Sequence, residues 1–319
     1  MISEQHNTKG DIMNILSQSW WIDVVERICN KLELTPMQFG IIMQNPKVLE
    51  ELEAIFRKYS KADEIVAEAI VAVIKEEKKV NLILPPKGFP YTGPKPIERQ
   101  VEILAEKFRK IDPEPTFRYI RDVLSTQRLQ DNTEGRFAVL SENAIGQKYF
   151  SDIENLNERY CKGVRFLLDK MPDLNNFRKE QINSNHLRRS ERTKDAFQKI
   201  AEIQNLEILI ISAQTGFLYQ NNTVIETRNL MRSMEFGLGM NEVLSIGFTH
   251  PERITEGSLS LDCVGDEFSV GEIFGWKIYV LSLTSFNGGT IMSHETGNDN
   301  KDNKNHGGAT GFLPAGVEM

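Results

Sequence analysis

The stretch GFTHPERITEGSLSLDCVGDEF, residues 247–268, brings a histidine, a cysteine and several carboxylates into one short span. An imidazole such as that of His250 titrates near neutrality, as a general base must. Asp262, Asp266 and Glu267 offer hard oxygen donors of the kind that hold a divalent cation such as magnesium. Together with Glu235 they make one candidate catalytic set, His250, Glu235, Asp262, Asp266 and Glu267. Within it, Asp262, Asp266 and Glu267 are the candidate metal ligands. Cys263 beside His250 is a candidate nucleophile. A second reading of the same residues involves no chemistry. Alternation along SLSLDCV places Leu259, Leu261 and Cys263 on one face and Ser260, Asp262 and Val264 on the other. Cys263 is then a buried small hydrophobe rather than an accessible thiolate. Gly265-Asp266-Glu267 becomes a turn whose carboxylates meet backbone donors or water.

Other stretches carry weaker signals. The basic run 177–199 places Arg188 and Arg192 four apart, on one helical face, with Arg189 beside them. These three arginines are candidate ligands for a phosphate-rich partner. No aromatic side chains are interleaved with them to stack bases, and a solvated helix face is the competing reading. GLGMNE, residues 237–242, lacks the spacing of a nucleotide phosphate loop, so its glycines read as turn residues. Gly-x-Ser-x-Gly and His-Glu-x-x-His are absent. Residues 34–56 suggest two helices joined at Gln44-Asn45-Pro46. Glu50, Glu51 and Glu53 occupy the second, so a helical hairpin fits better than a DNA-reading motif.

The totals narrow the classes further. With 319 residues, 40% apolar and 26% charged, the chain has the balance of a globular protein, and its length suggests two domains. A net charge of −7 argues against general nucleic-acid binding. Three widely spaced cysteines, Cys29, Cys161 and Cys263, suggest neither a disulfide framework nor a zinc site. There is no secretory leader pattern and no membrane-spanning apolar run, so a cytoplasmic location is expected.

The elements that must position these residues change character along the chain. Residues 1–83 read as a helical domain. Residues 84–96, with five prolines in LPPKGFPYTGPKP, read as a stiff extended linker. Residues 97–204 read as helical: Ile97, Val101, Leu104, Phe108 and Ile111 form one apolar stripe. Tyr149, Ile153, Leu156, Tyr160, Val164, Leu167 and Met171 form a longer one, and a more charged helix follows from about 174 to 203. Beyond Asn205 the rhythm shortens. Leu206–Ser212, EVLSIGF and SLSLDCV read as strands, and residues 276–295 as a hairpin around Asn287-Gly288-Gly289. Residues 205–319 are thus a β-rich module with a mobile loop over 296–310 and a GFLPAGVEM tail able to dock on the body. The expected fold is α+β, with helical N-terminal and middle regions and a mainly antiparallel C-terminal sheet.

The segment 206–268 resembles a set of bacterial hypothetical proteins. The shared order is Ala-Gln-x-Gly, Glu-Phe-x-Leu-Gly, Thr-His-Pro-Glu-Arg and Asp-Cys-x-Gly-Asp-Glu. The resemblance implies a reusable C-terminal module and brings no activity with it. No complete catalytic motif is present and no cofactor is indicated. The expected function is a non-enzymatic binding or regulatory adaptor with a protein or small-molecule partner. The alternative is a metal-dependent hydrolase or nucleotide-processing enzyme with its carboxylate and histidine site in the C-terminal module.

Overall fold

The computed structural model describes residues 83, 85, 88–127, 129–171, 174–176, 179–255, 259–269, 279–286, 289–296 and 306–317. The expected helices before residue 83 lie outside these. Residues 81–124 and 129–319 belong to one compact unit.

The apolar stripe from Ile97 forms helix α1, Ile97–Lys107, and its Val101 and Leu104 are fully buried. Helix α2, Glu114–Asp122, follows Pro113. The next element departs from the helical expectation for 97–204: Gly135–Leu140 is strand β1. The long stripe from Tyr149 is also split. Helix α3, Glu142–Tyr149, stops, and Asn155 starts α4, Leu156–Leu168, by accepting a hydrogen bond from Glu158 N. A competent cap interrupts a periodicity that otherwise reads straight through. Likewise the helix expected from 174 begins only at Glu191, as α5, Glu191–Gln204, capped by Ser190. Two short strands precede it, β2, Leu174–Asn176, and β3, Leu187–Arg189.

Strand β4 runs Ile208–Gln220, well beyond the expected Ser212. It passes Gly216 at φ +100, where a Cβ would lie 2.8 Å from Gly307 O, so only glycine suits the close approach. Helix α6, Val224–Leu230, and strand β5, Glu235–Gly237, come next. EVLSIGF is helix, not strand: α7 spans Met240–Thr249 and every residue in it is buried. A helix enclosed on all sides has no polar face, and a short apolar run then cannot reveal its period. Strands β6, Ser260–Asp262, and β7, Asp266–Phe268, flank the acidic turn. The expected hairpin is present, with β8, Tyr279–Phe286, antiparallel to β9, Gly289–Thr296, and Phe286 opposite Gly289. Residues 306–310 are not a loop. They open β10, His306–Phe312, which is buried throughout and lies between β4 and β6.

The strands form one mixed sheet of order β1-β4-β10-β6-β8-β7-β3, with β5 also on β10, β9 on β8 and β2 on β9. The β10–β6 and β2–β9 pairs are parallel and the others antiparallel. The fold is therefore α+β, and the middle region contributes three strands to the same sheet as the C-terminal third. The described part of the proline-rich stretch forms neither helix nor strand, in keeping with its prolines, but it is packed rather than free. Tyr91 is fully buried, stacked near Phe217, and Lys95 N donates to His250 Nε2 at 2.8 Å. The tail docks as expected, with Leu313 fully buried and its N–H donating to Met234 O at 2.9 Å.

Both exposed edges of the β1–β4 ladder are closed by side-chain amides. Gln100 on α1 donates to Arg136 O at 3.0 Å and accepts from Ala138 N at 2.9 Å. Asn241 donates to Leu140 O at 2.7 Å, and Leu140 N donates to Ser245 Oγ at 3.1 Å. Gln204 does the same for Ile210, at 2.7 and 2.9 Å. These amides take the place of neighbouring strands, which removes a template for edge pairing.

Candidate functional site

The acidic residues of the 247–268 stretch are divided among separate buried networks. The first is at the N-terminus of α7. Gly239, the N-cap, has no side chain to offer, and Asp266 from β7 supplies the missing acceptor: Met240 N donates to Asp266 Oδ2 at 2.7 Å. Tyr160 of α4 donates to the same carboxylate at 2.7 and 2.8 Å. Glu242 closes the turn by accepting from Gly239 N at 3.0 Å. GLGMNE is therefore a helix start already filled by an internal carboxylate, which is the position a phosphate would take in a nucleotide loop. Burial pushes the Asp266 carboxyl up to about 7, against the opposing pull of Arg189, the Met240 N–H and Tyr160.

Arg189 completes this network. It is buried and ion-paired to Glu142, at 2.8 Å, and to Glu242. Its guanidinium lies 5.0 Å from the Tyr160 ring centroid and 4.6 Å from that of Phe197. Burial opposes its charge, but Glu242 and Glu142 outweigh burial and raise its pKa. The three candidate arginines thus part company. Arg188 pairs with Glu267 at 2.7 Å, Arg189 is internal, and Arg192 donates through Nε to Glu235 O at 2.8 Å. Arg188 and Arg189 lie on a strand, where neighbours face opposite ways, so no three-arginine phosphate face exists.

His250 caps α7 within an aromatic enclosure of Tyr91 and Phe137, with centroids at 5.8 and 5.4 Å. Its Nε2 accepts from Lys95 N, so Nδ1 carries the proton and donates to Thr249 Oγ1 at 2.7 Å. Burial, then the Lys95 charge, lowers its pKa to about 3. Fully buried and bonded at both nitrogens, this imidazole is a neutral strut and not a general base. Cys263 is fully buried, and burial drives its thiol well above the ordinary value. It belongs to the apolar core, as the alternation indicates.

Glu235 accepts from Tyr219 Oη at 2.8 Å and Thr310 Oγ1 at 2.5 Å. Asp262 accepts from His306 Nδ1 at 2.8 Å through Oδ2. Burial raises the Asp262 pKa and His306 opposes that shift. Asp262, Asp266 and Glu267 do not converge on a metal: each has its own partner, and among the described residues no group of three or more His, Cys, Asp or Glu side chains has metal-binding geometry. The proposed trio is corrected accordingly. Asp262 and Asp266 lie on different strands at either side of a tight turn, and the chain aims them at β10 and at α7.

Several structural polar residues were not among the candidate site residues. Arg253 is fully buried, donating from Nε to Thr215 Oγ1 at 2.8 Å and from Nη1 to Leu259 O at 2.6 Å, with Phe217 4.7 Å beneath it. Burial lowers its pKa to about 10 despite Glu134, whose own pKa burial raises. His306 stands in a polar, glycine-rich run that gives no strand pattern. The motif segments quoted above are the places where chain meets chain most closely. A Cβ on Gly265 would lie 2.3 Å from Gly237 O, and one on Gly239 2.5 Å from Asp266 Oδ1. Gln214 holds the bend of β4 by accepting from Gly216 N at 2.7 Å and donating to Gly308 O at 2.8 Å.

Among the described residues no helix is long and apolar enough to cross a membrane. No family model, curated protein or solved structure matches this chain.

Proposed function

We propose that this protein is a non-enzymatic binding or regulatory adaptor, cytoplasmic in location, with a protein or small-molecule partner. One observation carries the reading. The residues with catalytic chemistry are each spent on holding the fold: Asp266 on the α7 N-terminus, His250 on the α7 C-terminus, Glu235 on Tyr219 and Thr310, and Glu267 on Arg188. A hydrolytic site needs several such groups aimed at one reacting atom. The resemblance to bacterial hypothetical proteins fits the same view, because its motifs fall on packing contacts. The metal-dependent hydrolase or nucleotide-processing alternative has weaker support, from the Asp262–His306 pair alone.

The full-length chain should be tested in two arms. In the first, it is incubated with ester, phosphoester and nucleotide substrates, with and without divalent ions. In the second, it serves as bait, and each recovered partner is remade pure and titrated. Saturable binding of a purified partner with no turnover supports the adaptor. Turnover that Glu235→Gln or Asp262→Asn abolishes, in variants that remain folded, overturns it.

A further inference from the structure

Four helices end at one place, and each brings an aromatic side chain to it. Phe108 follows the last residue of α1, Tyr149 ends α3, and Phe166 and Phe248 lie in the last turns of α4 and α7. Their rings touch in sequence. Centroids are 5.3 Å apart for Phe248 and Phe108, 5.9 Å for Phe108 and Phe166, and 4.5 Å for Phe166 and Tyr149. Phe108 and Phe248 are buried, whereas Tyr149 and Phe166 are half-buried and keep some surface toward water. Three exposed lysines stand over this run of rings. Lys107 Nζ is 4.7 Å from the Phe248 centroid, Lys170 Nζ 5.7 Å from that of Phe166, and Lys110 Nζ 4.9 Å from that of Tyr149.

Helix C-termini and ring faces both favour a cation, which accounts for where the ammonium groups rest. Neither supplies a full counter-charge. Lys110 also donates to Lys148 O at 3.2 Å, but among the described residues no carboxylate pairs with Lys107, Lys110 or Lys170. Lys95, Lys148 and Lys194, by contrast, each pair with a glutamate. Burial, and then the charge of Lys170, lowers the Lys107 pKa, so these two ammonium groups are near enough to oppose one another. Three unanswered positive charges thus gather on a chain whose net charge is −7. Such a field repels an acidic partner in general and draws it to this one face. We propose that this face docks an acidic protein segment, with its carboxylates on Lys107, Lys110 and Lys170 and its apolar side chains against Tyr149 and Phe166. The proposal rests on the adaptor reading and names the partner's class. A phosphoryl group suits the face less well. Phosphates are held by the N–H groups of helix N-termini or by forked guanidinium groups, whereas this face offers helix C-termini and separate ammonium groups.

The full-length protein is titrated against a fluorescent Asp/Glu-rich peptide with interspersed leucines, and anisotropy is followed at low and at physiological ionic strength. The expected result is saturable binding that weakens as salt rises. Lys107→Gln, Lys110→Gln and Lys170→Gln should each weaken it about two- to fivefold, and the triple variant about tenfold or more. Lys194→Gln removes the same charge from α5 and should leave the affinity unchanged. Melting temperatures establish that each variant is folded. No saturable binding, or equal binding by the triple variant, overturns the proposal, as does a loss in Lys194→Gln as large as in the patch variants. Tighter binding to inorganic phosphate or to phosphatidylserine vesicles than to the peptide also overturns it. A purified partner from the bait arm that binds the triple variant unimpaired overturns the docking face and leaves the adaptor reading standing. Substrate turnover overturns the adaptor reading whether or not the peptide binds.

Discussion

The Asp266 carboxylate, carried on β7, accepts the Met240 N–H at 2.7 Å and so caps α7 from a position 26 residues further along the chain than Met240. The same carboxyl is raised from an ordinary 3.8 to about 7 by burial. Between those values the native state holds a proton that the unfolded chain has lost. Its contribution to stability is therefore full below pH 3.8 and is lost as pH rises toward 7, by up to about 1.4 kcal/mol per pH unit. Asp266→Asn should remove that fall. Urea unfolding of both proteins from pH 4 to 8 measures it, and parallel stability curves would contradict it.

His250 should act in the opposite sense. Its pKa is lowered from 6.5 to about 3, so the native state excludes a proton the unfolded chain binds. Stability is full above pH 6.5 and is lost as pH falls toward 3. His250→Asn should lessen this acid loss while lowering stability at pH 7 by about 1–3 kcal/mol, through bonds lost to Lys95 N and Thr249. The difference between variant and wild-type unfolding curves across pH 3–8 isolates the histidine.

The three arginines once grouped as a ligand face should separate by stability. Arg189→Ala strands the buried Glu242, and removes the partner of half-buried Glu142, and should cost about 3–5 kcal/mol. Arg188→Ala breaks a partly exposed pair with Glu267 and should cost about 1 kcal/mol or less. Guanidinium denaturation of each variant checks the order. Equal costs would mean that Arg189 is not the centre of a buried network.

Gln100→Met keeps volume while removing the amide that serves β1. Two buried backbone groups, Arg136 O and Ala138 N, then lose their partner. The expected loss is about 2–6 kcal/mol, from ~1–3 for each orphaned group. Hydrogen exchange at Ala138 should quicken in the variant; unchanged protection there would show that the amide is not what closes this edge.

How much of this was legible in the sequence follows from where the information resides. Local signals read well. Prolines kept 88–96 free of helix and strand, the stripe from Ile97 made α1, β8 and β9 formed a hairpin with Phe286 opposite Gly289, and Cys263 fell on the leucine face. Each depends on neighbours within a turn or a strand. The errors came where distant chain decides. EVLSIGF is a helix because sheet and helices enclose it on all sides, which erases its amphipathic period. Residues 306–310 form a central strand because glycines admit β4 and α6 at contact distance, although the composition reads as loop. The acidic stretch showed the same division. Its residue types announced chemistry, but their partners, Tyr160, His306, Arg188 and the Met240 N–H, arrive from elsewhere in the chain. The sequence by itself determined which side chains could carry charge and which faces were apolar, since those are properties of residues and their near neighbours. Only the tertiary structure decided that most of those charges are answered internally, because long-range pairing and burial set their hydrogen bonds and their protonation.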